Sequence, residues 1–414
     1  SFNYYVQIMT VESTNSFVVP AGTKQIEIAP LGSTKLFQPI KVGKNILPHR
    51  VAHAPTTRFR AAKNHTPSDL QLEYYKTHSQ YPGTLIITEA TFTSEQGGMD
   101  LHVPGIYNDA QTKAWKKIND EIHANGSFSS MQLWYLGRVA NPKDLKDAGL
   151  PLIGPSAVYW DEESEKLAKS VGNELRELTE KEIDHIVEVE YPNAAKRAIE
   201  AGFDYIEVHS APGYFLDQFL NPASNKRTDK YGGSIENRAR LLLRIIDKLI
   251  GIVGAEKLAV RLAPWSSFLG MEIEGEEIHS YILQQLQQRA DNGQQLAYVS
   301  LIEPRVIGIF DASLEDQKGR SNEFAYKYWK GNFVRAGNYT YDAPEFKTLL
   351  HDLDNDRTIV GFARFFTSNP DLVEKLKLGK PLNHYDREEF YKYYNYGYNS
   401  YDESEKQVIG KPLV

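Results

Sequence analysis

At 414 residues the chain is long enough to bury a large core, either as one α/β barrel or as two smaller domains. It carries 54 acidic against 47 basic side chains, a net charge of −7, and so offers no general basic face to nucleic acid. It has no cysteine, which excludes disulfides, thiol nucleophiles and cysteine-held metals.

The chain opens with "SFNYYVQIMTVESTNSF", which has no lysine or arginine and no long apolar core. It reads as neither a signal peptide nor an Arg-rich transit peptide. No apolar run reaches the ~18 residues of a spanning helix, so the sequence predicts a soluble, cytoplasmic protein with no membrane contact. Residues 1–30 are read as an N-terminal extension, with a candidate start at Met9, and 31–414 as a single domain. "KLFQPIKVGKNILPHR" (35–50) predicts a hairpin that closes the bottom of a barrel.

Eight short apolar runs follow: "RVAHAPTT" (50–57), "TLIITEA" (84–90), "SSMQLWY" (129–135), "YIEVHS" (205–210), "LAVRLAP" (258–264), "LAYVSLIEP" (296–304), "NFVRAG" (332–337) and "TIVGFARF" (358–365). Near-continuous apolar runs fit parallel strands buried on both faces. Helical patterns lie between them. Ile235, Ala239, Leu242, Ile246, Leu249 and Val253 form one buried stripe. Thr179 and Glu182 make a capping-box signature ahead of Ile183, Ile186 and Val187, and Pro192 predicts a kink or break in that helix. "SNPDLVEKLKLGK" (368–380) predicts a capped helix ended by glycine. Residues 137–178, after the third strand, lack helical periodicity at first and are read as a capping excursion. Eight strands alternating with helices predict a (β/α)₈ TIM barrel; an open doubly wound sheet is the alternative, disfavoured by the absence of a GxGxxG turn.

In such a barrel the active site lies at the C-terminal strand ends. These ends carry Thr56, Thr57, Glu89, Ala90, Gln132, Trp134, His209, Arg261, Glu303, Gly337, Asn338 and Arg364. A metal hydrolase would draw on His53, Glu89, His209 and Glu303, but these are scattered and no His-x-His pair occurs, so no metal is predicted. A Schiff-base aldolase needs a strand-end lysine, and none of the eight runs contains one. Two arginines with Gln, Thr and Asn suit a planar, polar, anionic ligand. Arg364 and the "AGN" backbone follow the eighth and seventh strands, where barrels commonly hold phosphate. The alternative for Arg261 and Arg364 is a pair of barrel-end salt bridges.

These residues resemble the Old Yellow Enzymes, FMN-dependent NADPH oxidoreductases built on this barrel. The likeness runs from about residue 30 to 400 and rests on "LFQPIKVG", "PTTRFRA", "YPGTLIITEATF", "QLWYLGR", "NKRTDKYGGSIENRARLLL", "FVRAGNY" and "RFFTSNPDLVEKL". It is nearest the yeast branch, which includes a fungal estrogen-binding protein. The resemblance implies that Thr57, Ala90, Gln132 and Arg261 face the flavin ring, with Arg261 near the edge that becomes negative on reduction. It implies that Gly337, Asn338, Ala363 and Arg364 hold the phosphate. Trp134, Phe268, Phe310 and Tyr391 should shape the substrate pocket. His209 should bind the substrate's carbonyl or phenolate oxygen, and Tyr214 should donate the proton that completes reduction of an enone. Enones, quinones and phenols are the implied ligands, NADPH the reductant, and a homodimer the assembly.

The sequence departs from the family at few points. The family pairs the first histidine with Asn or His three residues on; here that residue is Pro212, which has no side-chain donor. Pro212 suits the first position of a helix, "PGYFLDQFL", so the fold should accept it while substrate binding loses a donor. Ala90 and Ala363 replace common glycines, and each would be strained if its φ were positive. A loop one residue shorter, "SEQGG" (94–98), predicts Met99 at the mouth of the pocket.

Overall fold

All eight apolar runs form strands, and each pairs with the next in chain order. The structure, a computed structural model, describes residues 17–273 and 275–414. Residues 1–16 of the N-terminal extension, Met9 among them, lie outside the described residues.

The strands are β1 (Val51–His53), β2 (Leu85–Ile87), β3 (Phe128–Trp134), β4 (Tyr205–Ser210), β5 (Leu258–Leu262), β6 (Tyr298–Ile302), β7 (Phe333–Ala336) and β8 (Thr358–Phe362). All neighbours are parallel, and β8 pairs with β1 to close the ring. The helices between them are α1 (Asp69–His78), α2 (Asp109–Ala124), α3 (Tyr191–Glu200), α4 (Ile235–Val253), α5 (Glu276–Asp291), α6 (Ala325–Tyr328), α7 (Lys347–Asp352) and α8 (Leu372–Leu378). This is a (β/α)₈ barrel, as the alternation predicts.

Strand periodicity divides the core in two. Ile206 and Val208 of β4, Met131 and Leu133 of β3, and Val260 and Leu262 of β5 face outward into one cluster with α2, α3, α4 and α5. Tyr205, Ala259, Tyr298, Val334 and Ile359 face inward and fill the lower barrel. The predicted hairpin is the antiparallel pair Ile40–Val42 and Asn45–Leu47, and Ile40, Val42 and Leu47 join that inner cluster as a plug. The Tyr205 hydroxyl donates to the Val42 carbonyl at 2.6 Å and accepts from Asn45 at 3.0 Å, fixing the hairpin to β4.

Local signals are met in detail, with two differences. The Thr179–Glu182 capping box forms. The helix after it does not break at Pro192. It widens into a π turn, Ile186–Glu190, and then continues as α3. The missing proline N–H is absorbed by shifting the hydrogen-bond ladder by one residue. Helix α8 ends at Gly379 as expected, but its N-cap, Asp371, makes no side-chain capping bond. The N-terminal extension is tied to the barrel: Gln25–Ile26 pairs antiparallel with Leu382–Asn383. The 137–178 excursion contains helices Pro142–Asp147 and Glu162–Val171 and a parallel bridge between Ile153–Gly154 and Arg176–Glu177. Among the described residues no helix is long and apolar enough to cross a membrane.

Candidate active site

The period of two that buries Tyr205 inside the barrel also turns Glu207 and His209 inward, one layer higher each time. Strand register then sets their neighbours. Glu207 lies opposite Gln132 of β3, and His209 opposite Arg261 of β5. The Glu207 carboxylate is fully buried and accepts from the Gln132 amide at 2.7 Å. Burial pushes the Glu207 carboxyl up, and the Arg261 charge opposes that shift. The Arg261 Nε is buried without a protein hydrogen-bond partner. A buried guanidinium edge left unpaired is costly, and an acceptor on a ligand would satisfy it.

The His209 Nδ1 accepts from the Ala211 N–H at 3.3 Å. That assigns the ring proton to Nε2 and makes Nε2 a donor. Burial, with Arg261 adding to it, holds the imidazole well below its ordinary pKa, so it is neutral at physiological pH.

After β4 the chain turns through Ala211, Pro212 and Gly213, and the helix begins at Phe215, not at Pro212. The expected N-terminal role of the proline is therefore corrected. Pro212 precedes Gly213 at φ 79°, the residue pair that a type II turn uses. No side chain fits at 213, because a Cβ there would lie 2.7 Å from that of Leu269. The helix holds the turn: Gly213 N–H donates to Asp217 at 2.8 Å, and Gln218 donates to the Gly213 carbonyl at 3.0 Å. This places the Tyr214 ring edge-on to Trp134 at 4.9 Å and 5.2 Å from His209. Burial, then Tyr391 and Asp100, push the Tyr214 phenol up, so it stays protonated throughout the neutral range.

The other end of the site follows β7 and β8. Gly337 has φ 143° and Asn338 has φ 54°. A Cβ on residue 337 would lie 2.8 Å from the Glu303 Cβ, so only glycine fits. Arg364 donates to Asp311 at 2.8 Å, and the Asn338 amide reaches the same oxygen at 3.4 Å. Arg364 thus makes a salt bridge in this structure, as its alternative reading expected, and shares that carboxylate with Asn338, so two anion-binding donors converge at this end. Ala363 has φ −108°, and Ala90 is not among the positive-φ residues, so neither alanine is strained.

These parts surround one cavity of about 500 Å³, within the size range of small-molecule sites. Thr57, Ala90, Gln132, Trp134, His209, Pro212, Tyr214, Arg261, Phe268, Gly337, Asn338, Ala363, Arg364 and Tyr391 all line it. Phe310 does not: it is 62% exposed on the short pair Val306–Ile307 and Phe310–Asp311, while Gly308 and Ile309 face the cavity. The turn at Gly308 sends Phe310 outward. Met99 is also misplaced by the sequence reading. It packs against the cluster of Phe92 and Trp134, and the next residue, Asp100, lines the cavity instead. Burial, with the charge of Asp144, pushes the Asp100 carboxyl up to about 6. Trp160, from the excursion, also lines the cavity. Neither Asp100 nor Trp160 belongs to a strand end, and only the "GGMD" loop pointed near the first.

The scattered candidates for a metal are committed elsewhere. His53 bonds Ala54 and Tyr74, Glu89 accepts from Gln71 and Tyr75, and Glu303 accepts from Arg335 and Asn322. Among the described residues the one group with metal-ligand spacing is Glu323, His351 and Asp352, and the Arg335 guanidinium already sits on two of these carboxylates. By contrast the cavity fits a flavin mononucleotide. It has an unpaired guanidinium Nε on Arg261, the Gln132 amide in the same lining, and two anion-binding donors after β7 and β8.

A model of the NADH:flavin oxidoreductase / NADH oxidase family matches residues 35–383. The chain is 82% identical over 407 residues to a probable NADPH dehydrogenase of Candida albicans, covering 98% of this chain and all of that one. It is 44% identical over 390 residues to enoate reductase 1 of Kluyveromyces lactis, covering 92% and 97% of the two chains. Among solved structures it is similar to Old Yellow Enzyme from a Pichia species, with 46% identity, a TM-score of 0.86, and 93% and 100% of the two chains covered.

Proposed function

The chain belongs to the NADH:flavin oxidoreductase / NADH oxidase family, and on that footing we propose that it is an FMN-dependent NADPH dehydrogenase of the Old Yellow Enzyme type that reduces the C=C bond of enones. One observation carries this reading. The His209 Nε2 donor, the Tyr214 hydroxyl and the unpaired Arg261 edge share one cavity with an anion cradle at its far end.

FMN bound in this cavity supplies a carrier that takes hydride from NADPH and passes it to the substrate. The residues that would hold it are Thr57, Gln132 and Arg261 at the ring, and Gly337, Asn338, Ala363 and Arg364 at the phosphate. Arg261 would stand at the ring and its positive charge would stabilise negative charge there. The His209 Nε2–H donates to the carbonyl oxygen of the enone and stabilises the charge gathering there. Tyr214 gives its proton to the α-carbon, and its raised pKa keeps the proton in place until the enolate forms. Trp134 and Phe268 wall the pocket against water.

The proline at 212 favours a second reading, in which the protein mainly binds phenols or steroids and turns enones over slowly. Loss of one oxyanion donor costs about 2.7–4 kcal/mol, roughly a hundred- to thousandfold in rate. Anaerobic addition of NADPH should bleach the yellow protein, and cyclohexenone should restore its colour. Recovery within a normal turnover time supports enone reduction. Bleaching without recovery, together with a long-wavelength band on adding a phenol, supports the binding reading. A colourless protein with no FMN affinity rejects both.

A further inference from the structure

Arg305 lies three residues past the end of β6 and is not among the residues lining the cavity. Its Nε donates to the Gly337 carbonyl at 2.8 Å. Its guanidinium lies 4.3 Å from the Tyr339 ring centre and 5.4 Å from that of Tyr341. Its Nη2 is buried and has no protein partner. A partly buried cation, with one donor left unpaired, thus holds one carbonyl.

That carbonyl belongs to the peptide that joins Gly337 to Asn338. The peptide is planar, so fixing its oxygen fixes the direction of the Asn338 N–H at the opposite edge. A cation on the oxygen also draws electron density from the amide and makes that N–H a stronger donor. Residue 337 is also hemmed in by Glu303, which bonds Arg335 at 2.6 Å and leaves residue 337 no room for a Cβ. The backbone at 337 and 338 is therefore held between the partly buried Arg305 guanidinium and the Cβ and backbone of Glu303.

We propose that Arg305 is a positioning residue for the flavin phosphate: it aims and strengthens the Asn338 N–H through the Gly337 carbonyl, and so selects the phosphorylated flavin without touching it. This rests on the FMN reading above. The discriminating ligand is riboflavin, which has the same ring and ribityl chain but no phosphate. A residue that only stabilises the fold changes affinity for both flavins together. A residue that acts on the phosphate changes their ratio.

The test is equilibrium binding of FMN and of riboflavin to full-length protein freed of flavin, followed by quenching of flavin fluorescence. Arg305→Met should weaken FMN binding about tenfold, roughly the value of one charged hydrogen bond, and leave riboflavin within twofold. Arg305→Lys, which keeps the charge, should recover part of the FMN affinity. Equal losses for both flavins, or an unchanged FMN affinity, would overturn the proposal. If Arg305→Met does not fold, Arg305→Gln is judged by the same ratio. Wild-type protein that binds neither flavin defeats the FMN reading itself. Wild-type protein that prefers FMN, with variants that keep that preference unchanged, defeats only the role of Arg305.

Discussion

At the β7–β8 end of the cavity, Gly337 is held by Arg305 and hemmed in by Glu303, which Arg335 fixes, while Arg364 and Asn338 share Asp311. At the β4 end, His209 and Pro212 line the cavity together, and on the proposed reading only His209 offers a donor to the substrate oxygen. The first region tolerates variation in its outer parts: Ala363 stands in place of a common glycine at an ordinary backbone angle. In the second, Pro212 brings no side-chain donor beside His209. On the proposed reading, the cofactor end is held by more groups than the substrate end, where Pro212 leaves His209 as the one paired-position donor. The turn itself is not the weak point, because the side chains of Asp217 and Gln218 hold it.

The contrast breaks into separate measurements. Tyr214→Phe should slow reoxidation of the reduced protein by cyclohexenone by roughly a hundred- to ten-thousandfold, the usual span for loss of a general acid. Reduction by NADPH and the affinity for FMN should stay within a factor of two, since the hydroxyl belongs to the substrate end. Stopped-flow absorbance separates the two half-reactions. Gly337→Ala should do the reverse. The new methyl meets Glu303 at 2.8 Å and forces a left-handed angle on an L-residue, a cost of about 1–3 kcal/mol and so up to roughly a hundredfold in FMN affinity. Fluorescence titration reads it directly.

The smallest effect is a dependence on pH. The Asp100 carboxyl titrates at about 6 and its charge helps to hold the Tyr214 proton. Above that pH the charge is present and the phenol is the weaker acid. Below it the charge is lost, and proton transfer should quicken by about twofold, the size of a weak, partly screened charge effect. His209 adds no limb near neutrality, because its pKa lies well below 6.5. Asp100→Asn should flatten the profile between pH 5 and 9.

The barrel was legible because burial on both faces writes itself as eight apolar runs, and because strand alternation puts Gln132, His209 and Arg261 on inner positions of neighbouring strands. What escaped the sequence depends on loops, where no period applies. Met99 and Asp100 exchange roles by a one-residue offset, and Phe310 points outward because of a turn at Gly308. The helix start after Pro212 escapes the sequence for a similar reason: a Pro-Gly pair serves a turn as readily as a first helical residue. Arg305 gave no signal, since its role is defined by a carbonyl that is 32 residues away in the chain.

The most direct test of the contrast between the two ends is the rate at which cyclohexenone reoxidises the NADPH-reduced protein, compared between the wild type and Pro212→Asn. Restoring a side-chain donor opposite His209 should raise that rate by about tenfold or more, in line with one recovered hydrogen bond to a developing charge. An unchanged rate, with the variant folded and its FMN affinity intact, would contradict the account, because position 212 would then have no part in holding the substrate oxygen.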